Sequence, residues 1–393
     1  MPEKTMADPM RILLVAAATA TTGGGERHTA DLAQALARQG VELGIAAPKG
    51  GDLAHIAANI GATYYSVPLD GALRLKTIRQ LRHAIRQFAP DIVHAQGARA
   101  AAFARPADPR AAERLVYTVH GIHADRGPAR FFKLTLERTL RRRAAFFITV
   151  CKADKEHGAQ LRILDPQRTR VIYNGIAVHD EEKFQAKHPD AAAFRAEAGV
   201  PPEASLLLHV GRISPQKNQL QLLEAFAALS AQAPVAILAL ISAGTEDQQT
   251  ALRAQIERLG LASSVRLLPS RPDLTAAFVA ADLFVLPSLW EGFPYVILEA
   301  ADAGCAIVAT DVGGIREAIL SPQEGWLVRP GDQAALTAAL QEAIEDPGQR
   351  QQRAEQAKAH VDTAFTLEAM VEQTVALYQD VVNSIPGERN AHA

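Results

Sequence analysis

Three stretches of this chain combine residue types and spacings that suit phosphate or sugar chemistry. The first is Gly23-Gly24-Gly25-Glu26, lying between the apolar run Ile12–Ala16 and a helical pattern that starts near Arg27–Thr29. Glycines let a backbone approach a ligand closely, and a helix N-terminus favours an anion. The dinucleotide fingerprint Gly-x-Gly-x-x-Gly is absent, because His28 stands where its last glycine belongs. Taken alone, such a turn serves equally as a tight strand-to-helix connection.

The second stretch is Val210-Gly211-Arg212-Ile213-Ser214-Pro215-Gln216-Lys217-Asn218. A buried run ends there, a glycine turn follows, and Pro215 suits the first turn of the next helix. Arg212 and Lys217 then sit at the carboxyl end of a strand, where open α/β sheets bind ligands. Two cations at that place suit a diphosphate, although a solvated surface pair reads the same way. The third stretch is Glu291-Gly292-Phe293-Pro294-Tyr295-Val296-Ile297-Leu298-Glu299. In a continuous helix its two glutamates would lie about 12 Å apart at ~1.5 Å per residue. That is the scale of a nucleotide sugar, and too far for two carboxylates that flank one glycosidic bond. A helical glutamate such as Glu299 can hold ribose hydroxyls, and the amides beside Pro294, at Phe293 and Tyr295, can face a phosphate.

These stretches need strands and helices to position them. Apolar runs at Ile12–Ala16, Ile45–Ala47, Ile92–His94, Leu115–Val119 and Phe146–Val150 predict strands in the first half. Leu206–Val210, Ile237–Ile241, Val265–Leu268, Leu283–Leu286 and Ala306–Ala309 do so in the second. Helical patterns such as Thr29–Gln39, Ile78–Phe88, Gln219–Leu229 and Ala251–Leu259 separate them. Strands apolar on both faces and alternating with helices predict parallel sheets covered on both sides. The pattern runs through two doubly wound α/β domains, expected at 1–180 and 200–366, with a polar boundary near Val178–Glu203. Leu367, Met370, Val371, Val375, Tyr378 and Val382 recur at helical spacing and predict a closing helix over 367–385. The tail after Pro386 reads as frayed.

The order of the motifs resembles the family-four glycosyltransferases, the retaining GT-B enzymes. The likeness rests on Gly-Gly-x-Glu before the first helix, Asp91-Ile92-Val93-His94, Tyr117-Thr118-Val119-His120-Gly121 and Ile172-Tyr173-Asn174-Gly175-Ile176. It continues through Gly211-Arg212…Lys217-Asn218, the Glu291…Glu299 stretch, and Asp311-Val312-Gly313-Gly314-Ile315-Arg316-Glu317. It covers roughly residues 10 to 385. The resemblance implies a GT-B fold of two facing Rossmann-like domains, with the last helix crossing back to the first. It implies a nucleoside diphosphate sugar, expected to be a UDP-sugar, in the second domain. There Arg212 and Lys217 would neutralise the diphosphate, Glu299 would hold the ribose, and Glu291 with the Gly292–Phe293 backbone would address sugar and phosphate. Gly211, Asn218, Pro294 and Tyr295 belong to the same expected substrate site. From the first domain Gly23, Gly24 and Gly25 would approach the diphosphate, and His120 would reach the transferred sugar. No cofactor is expected and no metal, since the chain contains no Asp-x-Asp and the two cations can carry the leaving-group charge. The family's aspartate after Asn-Gly-Ile is Ala177 here, and the loop Ser242–Glu246 carries one glycine where the family commonly shows two. Base contacts near Arg271 stay unassigned.

Composition narrows the rest. The chain has 393 residues, 48% hydrophobic and 21% charged, which suits globular domains and excludes a disordered chain. Two cysteines, Cys151 and Cys305, make no disulfide framework or metal motif, so a reducing, cytoplasmic setting is expected. No apolar stretch is long enough to span a bilayer. Residues 1–180 carry 26 Lys and Arg against 16 Asp and Glu, whereas residues 181–393 carry 15 against 27. The first half therefore faces something anionic. Arg126, Arg130, Lys133, Arg138, Arg141, Arg142 and Arg143 crowd one helical stretch, and Arg74, Lys76, Arg79, Arg82 and Arg86 another. On a helical wheel Phe132, Leu136 and Leu140 are expected to pack inward, leaving Phe131 and Leu134 among arginines. That pattern suits peripheral binding to the anionic inner face of a membrane and a lipid-linked or polysaccharide-precursor acceptor. A solvated basic face with a soluble small acceptor is the alternative. Nucleic acid fits poorly, with 5% aromatic residues. A nucleotide-cofactor oxidoreductase lacks its fingerprint here, and a binding module that had lost catalysis would not need both glutamates and both cations.

Overall fold

A computed structural model describes residues 9–18, 23–122, 128–178, 188–230 and 236–385. The chain divides into two compact units, with divisions between Asn174 and Gly175 and between Thr366 and Leu367. Much of the expected polar boundary, Asp180–Lys183 included, and the tail after Pro386 lie outside the described residues.

The first unit is a parallel sheet of seven strands in the order β3-β2-β1-β4-β5-β6-β7. These are β1 (Arg11–Ala16), β2 (Glu42–Ala47), β3 (Thr63–Ser66), β4 (Ile92–Gln96), β5 (Leu115–Val119), β6 (Phe146–Thr149) and β7 (Thr169–Val171). Successive side chains of β1 enter different cores, as period-two geometry requires. Ile12 and Leu14 pack with helices Gly24–Arg38 and Leu367–Asn383, whereas Leu13 and Val15 pack with helices Leu75–Phe88 and Gly97–Ala107. The closing helix thus completes this unit's core through Leu367, Met370, Val371, Leu377, Tyr378 and Val381.

The second unit is a parallel sheet of six strands in the order β10-β9-β8-β11-β12-β13. Its strands are β8 (Ser205–Val210), β9 (Ala236–Ile241), β10 (Val265–Leu268), β11 (Leu283–Leu286), β12 (Ala306–Thr310) and β13 (Trp326–Val328). One face is packed by helices Gln219–Ser230 and Gln333–Glu345 through Leu222, Phe226, Leu336 and Leu340. In each unit strand order reverses once, between β1 and β4 and between β8 and β11. A crevice opens at the carboxyl ends of the strands at such a switch point.

Two sequence expectations fail on local phase. Pro215 does not open a helix: residues 213–218 form turns and the helix starts at Gln219, after Asn218 takes a left-handed backbone (φ +53°). In helix Pro128–Leu140 the inward face is not Phe132, which is 74% exposed, as is Phe131. Leu134 packs on the core instead. The helix phase follows Glu137, which is buried and pairs with the fully buried Arg105 at 2.9 Å. Leu134 lies one turn before Glu137 and therefore faces inward with it.

Candidate functional site

In the second unit the switch between β8 and β11 gathers Lys217 and Glu291. Lys217 Nζ lies 2.7 Å from Glu291 Oε1, with the two side chains only 13% and 8% exposed. Ser288 Oγ donates to the same carboxylate oxygen at 2.7 Å, and Gln216 Nε2 donates to Oε2 at 3.2 Å. Gln216 also ties the two loops by backbone, its carbonyl accepting from Leu289 N at 2.8 Å. Gly211 lies close against Lys217: a Cβ there would stand 3.1 Å from three carbons of its side chain, which would have to shift by a few tenths of an ångström.

The loop after β12 braces the Glu291 loop from behind. Gly314 N donates to Gly292 O at 2.7 Å, and a Cβ on Gly313 (φ +50°) would come within 2.0 Å of Glu291 O. Only glycine fits that position. Arg316 meanwhile pairs with Asp311 at 2.9 Å. Arg212, on the same loop as Lys217, is exposed, and among the described residues its guanidinium makes no ion pair. Glu299 is half-buried on helix Tyr295–Asp302, which Pro294 caps. Phe293 and Tyr295, expected at the substrate, have buried side chains, and Phe293 packs edge-on against Phe365 at 4.9 Å. Arg271 makes a bidentate contact with Glu197 (2.8 and 3.1 Å).

In the first unit the switch between β1 and β4 gathers the glycine turn and three imidazoles. Helix Gly24–Arg38 starts at the second of the three glycines, and a Cβ on Gly25 would meet His120 Cδ2 at 3.0 Å. His120 stacks edge-on with His28 at 4.9 Å. Its Nε2 lies 2.8 Å from Gln96 Oε1, while His28 Nδ1 lies 3.1 Å from Asn174 Oδ1. Burial lowers the His28 pKa to about 4, against the Asn174 hydrogen bond, which raises it. Burial and the neighbouring His28 lower His94 to about 3, and burial with both neighbours holds His120 well below the usual range. All three are therefore neutral near pH 7. His28, Gln96 and Tyr378 carry no motif that marks them as site residues in the sequence, where His28 only breaks a glycine fingerprint.

Among the basic residues of helix Pro128–Leu140 and the turn after it, Lys133 and Arg142 are exposed, while Arg138 Nε donates to Leu161 O at 2.9 Å. Arg143 is tied down, donating to Arg105 O and Asp108 O at 3.0 Å each. Arg126 lies outside the described residues, as does the side chain of Arg130. No helix among the described residues is long and apolar enough to cross a membrane.

Comparison with known proteins agrees with both units. A model of "Glycosyltransferase Family 4" matches residues 22–180, and one of "Glycosyl transferases group 1" matches residues 190–360. A D-inositol 3-phosphate glycosyltransferase 2 of Catenulispora acidiphila is 34% identical over 49% of this chain and 48% of its own. The match thus spans about half the length of that relative, and much the same holds for other curated relatives. A D-inositol 3-phosphate glycosyltransferase of Kineococcus radiotolerans aligns over 95% of this chain and 94% of its own at 28% identity. Among solved structures, Anabaena Alr3699/HepE in complex with UDP and glucose superposes with a TM-score of 0.81 at 25% identity. That superposition covers 94% of this chain and all of the other. With one model matched over residues 22–180 and the other over residues 190–360, the chain belongs to the family-four glycosyltransferases of GT-B fold.

Proposed function

We propose that this chain moves a hexosyl group from a nucleoside diphosphate sugar, a UDP-sugar, to an acceptor, with retention of anomeric configuration and without a metal. The observation that carries the reading is the Lys217–Glu291 pair at the β8/β11 switch point, with the exposed Arg212 on the same loop. Breaking the anomeric bond places negative charge on the departing diphosphate and positive character on the sugar ring. Fixed cations stabilise the first without reorganising, and Glu291, held by three donors, offers a carboxylate to the sugar. The UDP bound by Alr3699/HepE supports uracil as the base.

The test is thermal unfolding with a panel of nucleoside diphosphate sugars and no added metal, on wild type and Arg212→Ala. At about 100 times its dissociation constant a ligand adds ~2.7 kcal/mol of stability. One sugar nucleotide should shift wild type strongly and the variant weakly; no shift with any of them would sink the reading. Product NMR then reports the anomeric configuration, and activity surviving EDTA supports metal independence.

For the acceptor, Phe131 and Phe132 (both 74% exposed) beside Lys133, and Leu75 (72%) between Arg74 and Lys76, favour an anionic membrane surface and a lipid-linked or polysaccharide-precursor acceptor. Helices Leu75–Phe88 and Pro128–Leu140 follow β3 and β5, so both begin at the carboxyl edge of one parallel sheet. A soluble phosphorylated acceptor is the second reading, favoured by the relatives' name, D-inositol 3-phosphate glycosyltransferase. Flotation with anionic liposomes separates them: no binding at low salt favours the soluble acceptor.

A further inference from the structure

Two of these imidazoles, His94 and His120, belong to a longer chain of polar contacts that begins on the closing helix. Tyr378 Oη lies 2.5 Å from His94 Nδ1, and His94 Nε2 lies 2.6 Å from Thr118 Oγ1. A phenol is a stronger acid than an aliphatic alcohol, so Tyr378 donates to Nδ1 and His94 Nε2–H donates to Thr118. Both in-plane positions of the His94 ring are then taken. Gln96 Nε2 stands 3.3 and 3.4 Å from the two ring nitrogens, which places the amide over the ring face. An N–H group is attracted to that electron-rich face, whereas a carbonyl oxygen would be repelled by it. The Gln96 amide is thereby oriented, with Oε1 turned to His120 Nε2 at 2.8 Å.

A carbonyl oxygen only accepts, so His120 must carry its hydrogen on Nε2. Among the described residues nothing hydrogen-bonds His120 Nδ1, although that atom is buried. No group of described residues that includes these histidines is arranged to hold a metal ion. We propose that Gln96 is a positioning residue which fixes His120 in its Nε2–H tautomer, so that Nδ1 accepts a hydrogen bond from a substrate hydroxyl. His94 orients Gln96, and Tyr378 fixes His94. The proposal deepens the transferase reading and rests on it for the substrate, while the tautomer itself does not.

The experiment uses full-length protein with 15N-labelled histidine, whose long-range proton–nitrogen spectra distinguish protonated from unprotonated ring nitrogens. Wild type should show His120 with Nδ1 unprotonated. Gln96→Glu, its buried carboxyl protonated with the hydroxyl over the His94 ring, keeps an acceptor in place and should preserve Nε2–H. Gln96→Leu removes it and should give a mixed or reversed tautomer. Wild-type His120 protonated on Nδ1, or an unchanged pattern in Gln96→Leu, overturns the proposal. In transfer assays Gln96→Leu should lower kcat about tenfold, the scale of one hydrogen bond, with UDP affinity unchanged. A weakened UDP affinity with unaltered kcat counts against it. A chain with the expected tautomers that binds no sugar nucleotide leaves the Gln96 assignment standing and overturns the transferase reading instead.

Discussion

Arg212 and Lys217 arrive at the same crevice with different structural obligations, and that difference is measurable. Lys217 is 13% exposed and bound to Glu291, whose carboxylate also accepts from Ser288 and Gln216. Lys217→Ala leaves a mostly buried carboxylate short of its counterion. Breaking a buried pair costs about 3–5 kcal/mol, and the two remaining donors reduce this to about 2–3 kcal/mol. Arg212 is exposed and makes no ion pair among the described residues, so Arg212→Ala should change folding stability by no more than about 0.5 kcal/mol. Under the proposed function it would give a bound diphosphate a charged hydrogen bond, about 1.5–3 kcal/mol, or roughly ten- to a hundredfold in affinity. Urea unfolding and calorimetric titration with UDP, run on both variants, read the two quantities separately. Arg212→Ala should lose affinity at full stability, and Lys217→Ala should lose both. If Arg212→Ala unfolds early, or binds UDP as wild type does, the division of labour drawn here is wrong.

Four other outcomes follow from the same geometry. Gly25→Ala should leave thermal stability near wild type, since alanine favours helix, yet displace the His120 ring 3.0 Å away and lower turnover, which a kinetic assay reads directly. Gly313→Ala forces a Cβ against Glu291 O at positive φ and should cost about 2–4 kcal/mol by urea unfolding, with loss of UDP binding. Glu137→Ala strands the buried Arg105 guanidinium and should cost about 3–5 kcal/mol, visible in the urea midpoint. His28 has a pKa near 4 when folded, as has His209, which is buried on β8 with Nδ1 2.9 Å from Val285 O; His94 lies near 3, against 6.5 ordinarily, chiefly because burial disfavours their charged forms. The unfolded chain therefore takes up protons that the folded one refuses. Stability is full above about pH 6.5 and falls toward pH 4 by about 1.4 kcal/mol per pH unit per histidine. A urea midpoint unchanged between pH 7 and pH 5 would contradict this.

The buried strands were legible because each is a short apolar run bounded by turns, and Leu115–Val119, Val265–Leu268 and Leu283–Leu286 sit where the runs place them. Three edge strands were not legible. β3 is Thr-Tyr-Tyr-Ser with exposed ends, and β7 and β13 have three residues each, too few for any period. Helix Pro347–Ala364 leaves little apolar period in the sequence because it buries only Ala354, Ala357 and Val361 in eighteen residues. Lys217 and Glu291 were both visible as candidates, but their pairing spans 74 positions and depends on which strands are neighbours. The His94–Tyr378 contact spans 284 positions and had no local signal. The phase of helix Pro128–Leu140 is not legible in its apolar residues because it follows one buried ion pair, with Arg105, that no apolar wheel represents.

The helix Leu367–Asn383 has a consequence for how the protein is made. It fills the core of the first unit with Leu377, Tyr378 and Val381, yet roughly 190 residues of the second unit are translated before it. At about 5–20 residues per second, the ribosome delivers that helix some 10–40 seconds after β7 has emerged. During that interval Ile12, Leu14 and helix Gly24–Arg38 lack part of their cover, and His94 lacks its phenol. The first unit to be synthesised is thus the last to be finished, and its nascent form presents an apolar face that a chaperone can hold until the closing helix arrives.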